Sequence, residues 1–340
     1  TLQQLPAWSW LRKVHEPLLD RSLGARLYFQ QAILDRRLAA EKIDLLLVPG
    51  GMYSGNFHPF VAVCQNMLPF QWSEMRRFWR TIDIVRFGMI RQLQSRTFRN
   101  ADGMVFLTEF AKEEVLGTVS LHEEKTTVIP HGIHEDFFFA PRPQLSIDRY
   151  SFAAPFRILY VSMINLYKHQ WHVADAVYEL RQEGLPVELT LIGPAYPPAL
   201  RRLEKKLRKL DPEQAYLKYM GAVPHAELGR HYQDADMFVF ASSCENMPNI
   251  LLEAMAAGLP IASSDREPMP EILGDAGIYF DPEDPQEIAA AIRRIILDPI
   301  VRTECAQKSY RCATDYLWEQ TAQETFAFLA KRYACTIESG

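Results

Sequence analysis

The sequence predicts an α/β protein of two doubly wound domains facing a cleft, each a parallel sheet covered by helices. Three observations carry this prediction. Short apolar runs alternate with amphipathic stretches of helical length, the pattern of βαβ units. The alternation is interrupted once, at 134–154, by a proline-containing stretch without period that reads as a linker. The 340 residues suit two domains at roughly 150 each. The expected divisions are an N-terminal domain over 1–145, a C-terminal domain over 146–317, and a helix over 318–340 packing back toward the first domain.

In the N-terminal half, KIDLLLVPGG (42–51) reads as a buried strand ending in Pro-Gly-Gly, and FVAVCQNMLPF (60–70) as a second. A long helical stretch follows over 73–98. ADGMVFLT (101–108) is a third strand with EFAKEEVL as its helix, and TTVIPHG (126–132) is a fourth. Residues 1–40 read as helices. In the C-terminal half, strands are expected at 156–163, 187–193, 216–223, 236–242, 259–264 and 276–280. The helices between them are 168–183, 198–210, 225–235 and 248–257, then a short one at PEILGD, and a helical tail begins at 285. Six strands complete a doubly wound sheet. Four do not, and the chain opens at Thr1, so the N-terminal domain is expected to lack its first βα unit.

Composition narrows the class. Apolar residues are 48% and charged residues 23%, which excludes collagen, a disordered tail and a disulfide scaffold. No apolar run reaches the ~18 residues of a spanning helix, and no charged-then-apolar leader opens the chain. Five scattered cysteines without a CxxC pair predict reduced thiols in a cytosolic protein and no zinc site. Net charge is −5 but uneven: residues 1–100 hold 14 Lys+Arg against 7 Asp+Glu, leaving 23 against 35 in the remainder. A basic front and an acidic back suggest surfaces for different partners.

The chemistry concentrates in SSCENMPNILLEAMAAGLPIASS (242–264). Pro248 suits a first helical turn, with Asn246 or Met247 at the cap region, and Gly258 then Pro260 end the helix. The N–H groups of Asn249, Ile250 and Leu251 are then expected to be unpaired at a helix N-terminus, a natural phosphate site. Glu245 precedes the helix; Glu253 lies on it, on the same face as Asn249. Two carboxylates thus bracket one anion-binding point.

This Glu-x7-Glu pattern, within E-x-x-x-x-x-L-L-E-A-M-A-x-G-x-P, resembles the signature of the retaining GT-B glycosyltransferases of family GT4. RILYVSMINLYKHQ (157–170), LIG (191–193), GAVPHAEL (221–228), YQDADMFVFASSCE (232–245) and DREPMPEILGDAGIYFDPEDP (265–285) resemble that family in order. So do NADGMVFLTEFAKEEV (100–115) and VIPHGIHEDFF (128–138). The resemblance implies two Rossmann-like domains, with nucleotide-sugar as donor substrate and no cofactor or metal. It implies that Glu253 binds the ribose hydroxyls and Glu245 faces the transferred sugar. Lys168 would neutralise the departing phosphate, a term of the kind that dominates catalysis. The N–H groups around Asn249 and Ile250 would hold the diphosphate, and Val223 would lie in the base-binding loop. Met163 stands where the family often carries Arg, so that charge is missing or is replaced by His169 or another residue. Asn246-Met247 replace the usual Phe-Gly. Gln65-Asn66 stand where His-Asp is common, neutral amides able to orient hydroxyls but not to act as base.

Other features have plainer readings. Asp234 and Asp236 precede a strand and read as a helix-end and strand-start pair. His131 sits in a Pro-His-Gly turn placed by the resemblance near the cleft. Gly51 and His58 are candidates for the acceptor side. The stretch 74–99 carries seven arginines with Phe78, Trp79, Phe87 and Met89 interleaved. It suits an anionic membrane surface or a lipid-diphosphate acceptor, and equally an ordinary helix with a core-facing side. No nucleic-acid motif is present, and the chain is acidic.

The expected function is transfer of a sugar, with retention, from a nucleotide-diphosphate sugar to a glycan or lipid-linked saccharide. The setting is cell-surface polysaccharide synthesis at the cytoplasmic membrane face. The alternatives are a weakly catalytic or inactive nucleotide-binding module and a nucleotide-sugar epimerase of the same architecture.

Overall fold

The computed structural model describes residues 8–339. Residues 1–7 and 340 lie outside the description, and with them part of the expected N-terminal helical region. The chain forms two parallel sheets. The first contains β1 (Leu46–Val48), β2 (Phe60–Val63), β3 (Gly103–Phe106) and β4 (Thr126–Val128), in sequence order. The second contains β5 (Phe156–Val161), β6 (Val187–Ile192), β7 (Leu217–Tyr219), β8 (Met237–Phe240), β9 (Ile261–Ser264) and β10 (Gly277–Phe280). Its spatial order is β10-β9-β8-β5-β6-β7.

The ten strands occupy the predicted runs. Three of the inner strands, β2, β3 and β8, are apolar and buried at every position, covered by helices on both faces. In the second sheet β5 pairs β6 on one side and β8 on the other. The chain order reverses there, and in such sheets the ligand crevice lies beyond the carboxyl ends of the strands at that point. Gly193, just past β6, has φ +147, and a Cβ on it would lie 2.1 Å from the Ser162 carbonyl oxygen. Only glycine lets the β5 and β6 loops approach this closely.

The two sheets present their carboxyl ends to one another. Asn246 Nδ2, in the loop after β8, donates to the Cys64 carbonyl after β2 at 2.7 Å, and Thr108 Oγ1, after β3, donates to the Asn246 carbonyl at 3.3 Å. The final helix, Trp318–Ser339, runs beside the first sheet, with Phe328 and Arg332 against Gly103. Thr321 Oγ1 donates to the Pro130 carbonyl at 2.9 Å.

The local expectations need three corrections. The long helix expected over 73–98 is three pieces: Trp72–Met75, a 3-10 turn at Arg76–Phe78, and Asp83–Asn100. Thr81 divides them: its hydroxyl donates to the Phe78 carbonyl at 2.8 Å and accepts from Asp83 N–H at 3.3 Å. Side-chain bonds of this kind compete with the helical ladder. The strand expected over 60–70 ends at Val63, and Asn66 Oδ1 turns the chain by accepting from Leu68 N–H at 3.2 Å. Before residue 41 the helical region is 23–40, with a π-helical segment at Phe29–Leu34, preceded by a 3-10 turn at Pro17–Asp20.

Candidate active site

The crevice beyond β5 and β8 gathers most of the sequence-predicted donor residues. Lys168 ends the loop after β5, and its ammonium is ion-paired with the Glu245 carboxylate from the loop after β8. Both side chains are shielded, at 7% and 13% exposure. The ammonium also lies 5.0 Å from the Phe240 ring centroid and 5.5 Å from that of Tyr167, so aromatic faces share its positive charge. The Lys168 carbonyl accepts from the buried Tyr160 hydroxyl at 2.6 Å. Two groups 77 positions apart in sequence therefore meet.

The helix Asn249–Ala256 begins four residues after Glu245, with Pro248 as its cap residue. Its N-terminus offers two of the three expected donors. Among the described residues, the N–H groups of Asn249 and Ile250 have no intramolecular partner. Leu251 N–H is already taken by the Pro248 carbonyl at 2.9 Å, and its side chain is core. The phosphate-holding role assigned to Leu251 is therefore corrected: the first turn tightens and uses that donor internally. Met247 is buried, and its sulfur accepts from His131 N–H at 3.1 Å across the interface.

Glu253, one turn along the helix, forms a second cluster that sequence reasoning only half found. Its carboxylate accepts from the Tyr232 hydroxyl at 3.0 Å and lies 3.6 Å from His225 Nε2. Burial raises the Glu253 carboxyl above its ordinary value, opposed by the Tyr232 hydrogen bond and by His225. Tyr232 and His225 share the helix His225–Asp234, seven residues apart on one face. That spacing was the available signal for both. Val223 precedes this helix, half-buried against the core.

His169 does not replace the missing arginine charge. Its ring is fully buried, Nε2 bonds to Ser243 Oγ at 2.9 Å, and burial holds the imidazole down to about 3. A neutral ring tied to a serine neutralises no phosphate. Its backbone adopts φ 49, ψ 27, in the left-handed region.

On the other side of the crevice, Gly51, Gln65 and Asn66 follow β1 and β2. Gly51 has φ +65, and a Cβ there would lie 3.0 Å from the Val63 carbonyl oxygen. Gln65 and Asn66 are exposed. The His131 ring lies 5.6 Å from the Trp318 ring, and burial lowers its affinity for a proton. His58, by contrast, lies before β2, at the opposite end of the sheet. Its Nδ1 is 2.7 Å from Asp102 Oδ2, and that oxygen also accepts from Phe60 N–H. The acceptor-side reading of His58 is therefore corrected. Asp236 likewise lies before its strand, accepting from Arg142, the Tyr150 hydroxyl and Arg157 N–H.

Sequence reasoning missed the bonds that join the two walls. Glu271 spans the interface to accept from Glu109 and Phe110 N–H at 2.8 and 2.9 Å, at the start of the helix Glu109–Leu116. Glu74 accepts from the Ser243 hydroxyl at 2.8 Å. Long-range pairs of this kind leave no periodic trace. Among the described residues, no grouping of three or more His, Cys, Asp or Glu has the arrangement of a metal site.

Comparisons with known proteins agree with this geometry. A model of the family described as Glycosyl transferases group 1 matches residues 155–298. O-antigen chain mannosyltransferase B of Escherichia coli is 32% identical over 112 residues, which are 33% of this chain and 29% of that protein. A GDP-mannose-dependent alpha-(1-6)-phosphatidylinositol dimannoside mannosyltransferase of Mycobacterium tuberculosis is 29% identical over 243 residues, 69% of this chain and 59% of that protein. The chain thus spans under two thirds of the length of these relatives. Among solved structures, sucrose-phosphate synthase from Thermosynechococcus elongatus superposes with TM-score 0.73 at 17% identity, over 97% of this chain and 83% of that one. Anabaena HepE in complex with UDP and glucose superposes with TM-score 0.68 at 18% identity, over 89% and 83%. These likenesses establish the two-domain architecture known as GT-B.

Proposed function

We propose that this chain, a GT-B protein with a group 1 glycosyl transferase domain at residues 155–298, transfers a sugar from a nucleoside-diphosphate sugar to a saccharide or lipid-linked saccharide. The observation that carries the reading is the meeting of Lys168, Glu245 and the Asn249 helix N-terminus at the switch point of the second sheet. An ammonium and two unpartnered N–H groups hold a diphosphate. Glu253 then accepts from the ribose hydroxyls, and Glu245 from hydroxyls of the sugar being moved.

In this reading the bond from the anomeric carbon to the diphosphate oxygen breaks as negative charge grows on the phosphate. Lys168 and the Asn249 and Ile250 N–H groups stabilise that charge in place, without reorganising. Gln65 and Asn66 cannot take a proton, so the departing phosphate oxygen takes the acceptor hydroxyl's proton on the face it leaves. Attack on that face retains the anomeric configuration. The closed interface excludes water and favours transfer over hydrolysis.

The setting we propose is cell-surface polysaccharide synthesis beside a membrane. The names of several relatives support it, the Erwinia amylovora amylovoran biosynthesis glycosyltransferase AmsK among them. No helix of the described residues is long and apolar enough to cross a membrane. An exposed face supports peripheral contact instead: Trp72, Trp79, Ile82, Val85 and Met89 project into solvent, Ile82 at 84% exposure, among the exposed Arg76, Arg80 and Arg86. Apolar side chains ringed by cations suit an anionic lipid surface.

Calorimetric titration with UDP, GDP and ADP, followed by donor turnover across an acceptor panel, tests the reading. GDP-mannose heads the donor panel because mannosyltransferases recur among the relatives. Nucleotide binding with donor turnover is expected. Binding without turnover would leave a nucleotide-binding module, and no binding by any nucleotide would overturn the site.

A further inference from the structure

One buried carboxylate lies outside every motif that pointed to the site. Glu74, on the short helix Trp72–Met75 of the first domain, is 6% exposed. Its Oε2 accepts from Arg77 Nε at 2.6 Å and from the Ser243 hydroxyl at 2.8 Å. The Arg77 fork reaches further: Nη1 and Nη2 donate to the two oxygens of Glu283, in the second domain, at 3.2 and 2.5 Å. A planar guanidinium bridging two carboxylates is geometrically demanding, and lysine could not replace it.

Ser243 is where this bridge meets the donor site. It stands two residues before Glu245, and its N–H donates to the Tyr167 carbonyl at 2.9 Å, which ties the loop after β8 to the loop after β5. Its oxygen is 2.9 Å from His169 Nε2. A hydroxyl has one proton to give, and two acceptors stand near it: the Glu74 carboxylate at 2.8 Å and the Tyr167 carbonyl at 3.3 Å. The shorter contact to the charged acceptor takes the proton, so Ser243 accepts from His169, which sets the neutral ring as the Nε2–H tautomer. Nδ1 then carries no proton, consistent with its having no partner. The chain of bonds runs from His169 through Ser243 to Glu74, and each inner link adjoins a proposed catalytic group. His169 follows Lys168, in a left-handed backbone conformation that a β-carbon disfavours. Ser243 precedes Glu245 by two.

We propose that Glu74 is a positioning residue that couples closure of the two domains to the placement of Lys168 and Glu245. The carboxylate reaches Ser243 only when the first domain lies against the second. Domain opening removes the charged acceptor and leaves the longer contact to the Tyr167 carbonyl to compete with His169 Nε2 for the Ser243 proton, so the ring can change tautomer. The loops carrying Lys168 and Glu245 then lose their common anchor. The inference rests on the transferase reading for its catalytic consequence, but its structural claim stands apart from it.

The test uses the full chain labelled with 15N-histidine, with the His169 resonances assigned by their loss in His169→Asn. Wild type is expected to show His169 as a single Nε2–H tautomer, whereas Glu74→Ala and Ser243→Ala show a tautomer mixture. In the same variants kcat for donor turnover falls at least tenfold, while Kd for the nucleoside diphosphate stays within threefold. Glu74→Asp, which retains the charge, restores part of kcat. A Glu74→Ala protein that keeps the wild-type tautomer, or that keeps kcat, overturns the proposal. A parallel loss of nucleotide affinity and unfolding midpoint shows a merely structural contact and overturns it too. If Glu74→Ala does not fold, Ser243→Ala asks the same question from the other domain. If wild type turns over no donor, the transferase reading fails, and the tautomer experiment still decides whether Glu74 sets the ring.

Discussion

Replacing Lys168 with Met separates the structural from the catalytic part of its role. The substitution keeps the length of the stem and removes the charge, leaving the shielded Glu245 carboxylate without its cation. Breaking a buried ion pair by deleting one member costs about 3–5 kcal/mol, because the survivor is a desolvated charge. The 13% exposure of the Glu245 side chain lets some water reach it, so Lys168→Met is expected to lose about 3 kcal/mol, the lower end of that range. The double variant Lys168→Met, Glu245→Gln removes both charges and should recover most of the loss. Turnover behaves differently. Without the ammonium the departing phosphate loses a fixed positive charge, worth roughly 10²–10³ in kcat, and the second substitution restores none of it. Urea unfolding at pH 7 and steady-state donor turnover, on the two variants beside wild type, read the two effects. A single variant as stable as the double would refute the buried pair. A Lys168→Met enzyme within threefold of wild-type kcat would refute its place at the phosphate.

Glu253→Gln is expected to stabilise the protein at pH 7 while weakening nucleoside-diphosphate binding at least tenfold. Burial raises the folded-state carboxyl above 4.5, so ionisation destabilises the fold as pH rises through that window. The stability gain should therefore vanish near pH 4, and a gain that persists there would contradict the assignment. His169→Asn tests the buried imidazole, since Asn tolerates the left-handed backbone. A base whose folded value is depressed stabilises above 6.5 and loses that stabilisation as pH falls. Wild type should lose about 1.6 kcal/mol more than the variant between pH 6.5 and 5, less than the full 1.36 kcal/mol per unit because the unfolded-state imidazole is already half protonated at 6.5. Parallel stability curves would exclude this. For the exposed face, co-sedimentation with anionic phosphatidylglycerol vesicles should exceed that with neutral phosphatidylcholine. Trp79→Ser with Ile82→Ser should reduce it severalfold, and equal recovery with both lipids would remove the membrane proposal.

The sequence alone determined the ten strands, because strands covered on both faces read as short, mostly apolar runs between amphipathic helices. It also marked Glu245, Glu253 and the Asn249 helix start, since a helix N-terminus with flanking charges has a local signature; Lys168 was marked only by the resemblance of RILYVSMINLYKHQ to a known family. Local chemistry misled where side chains compete with the backbone. Thr81 divides a helix that the pattern of Phe78, Phe87 and Met89 joins, and the Pro248 carbonyl takes the Leu251 donor that capping rules leave open. Only the tertiary structure decided which charges meet. The Lys168–Glu245 pair, Tyr232 on Glu253, Glu271 on the Glu109 helix and Glu74 on Ser243 each join segments separated by many residues. It also decided that His169 is a neutral buried ring and that His58 faces away from the cleft. A residue's charge state and its end of a sheet depend on what the fold packs against it. That information lies in no window of the sequence.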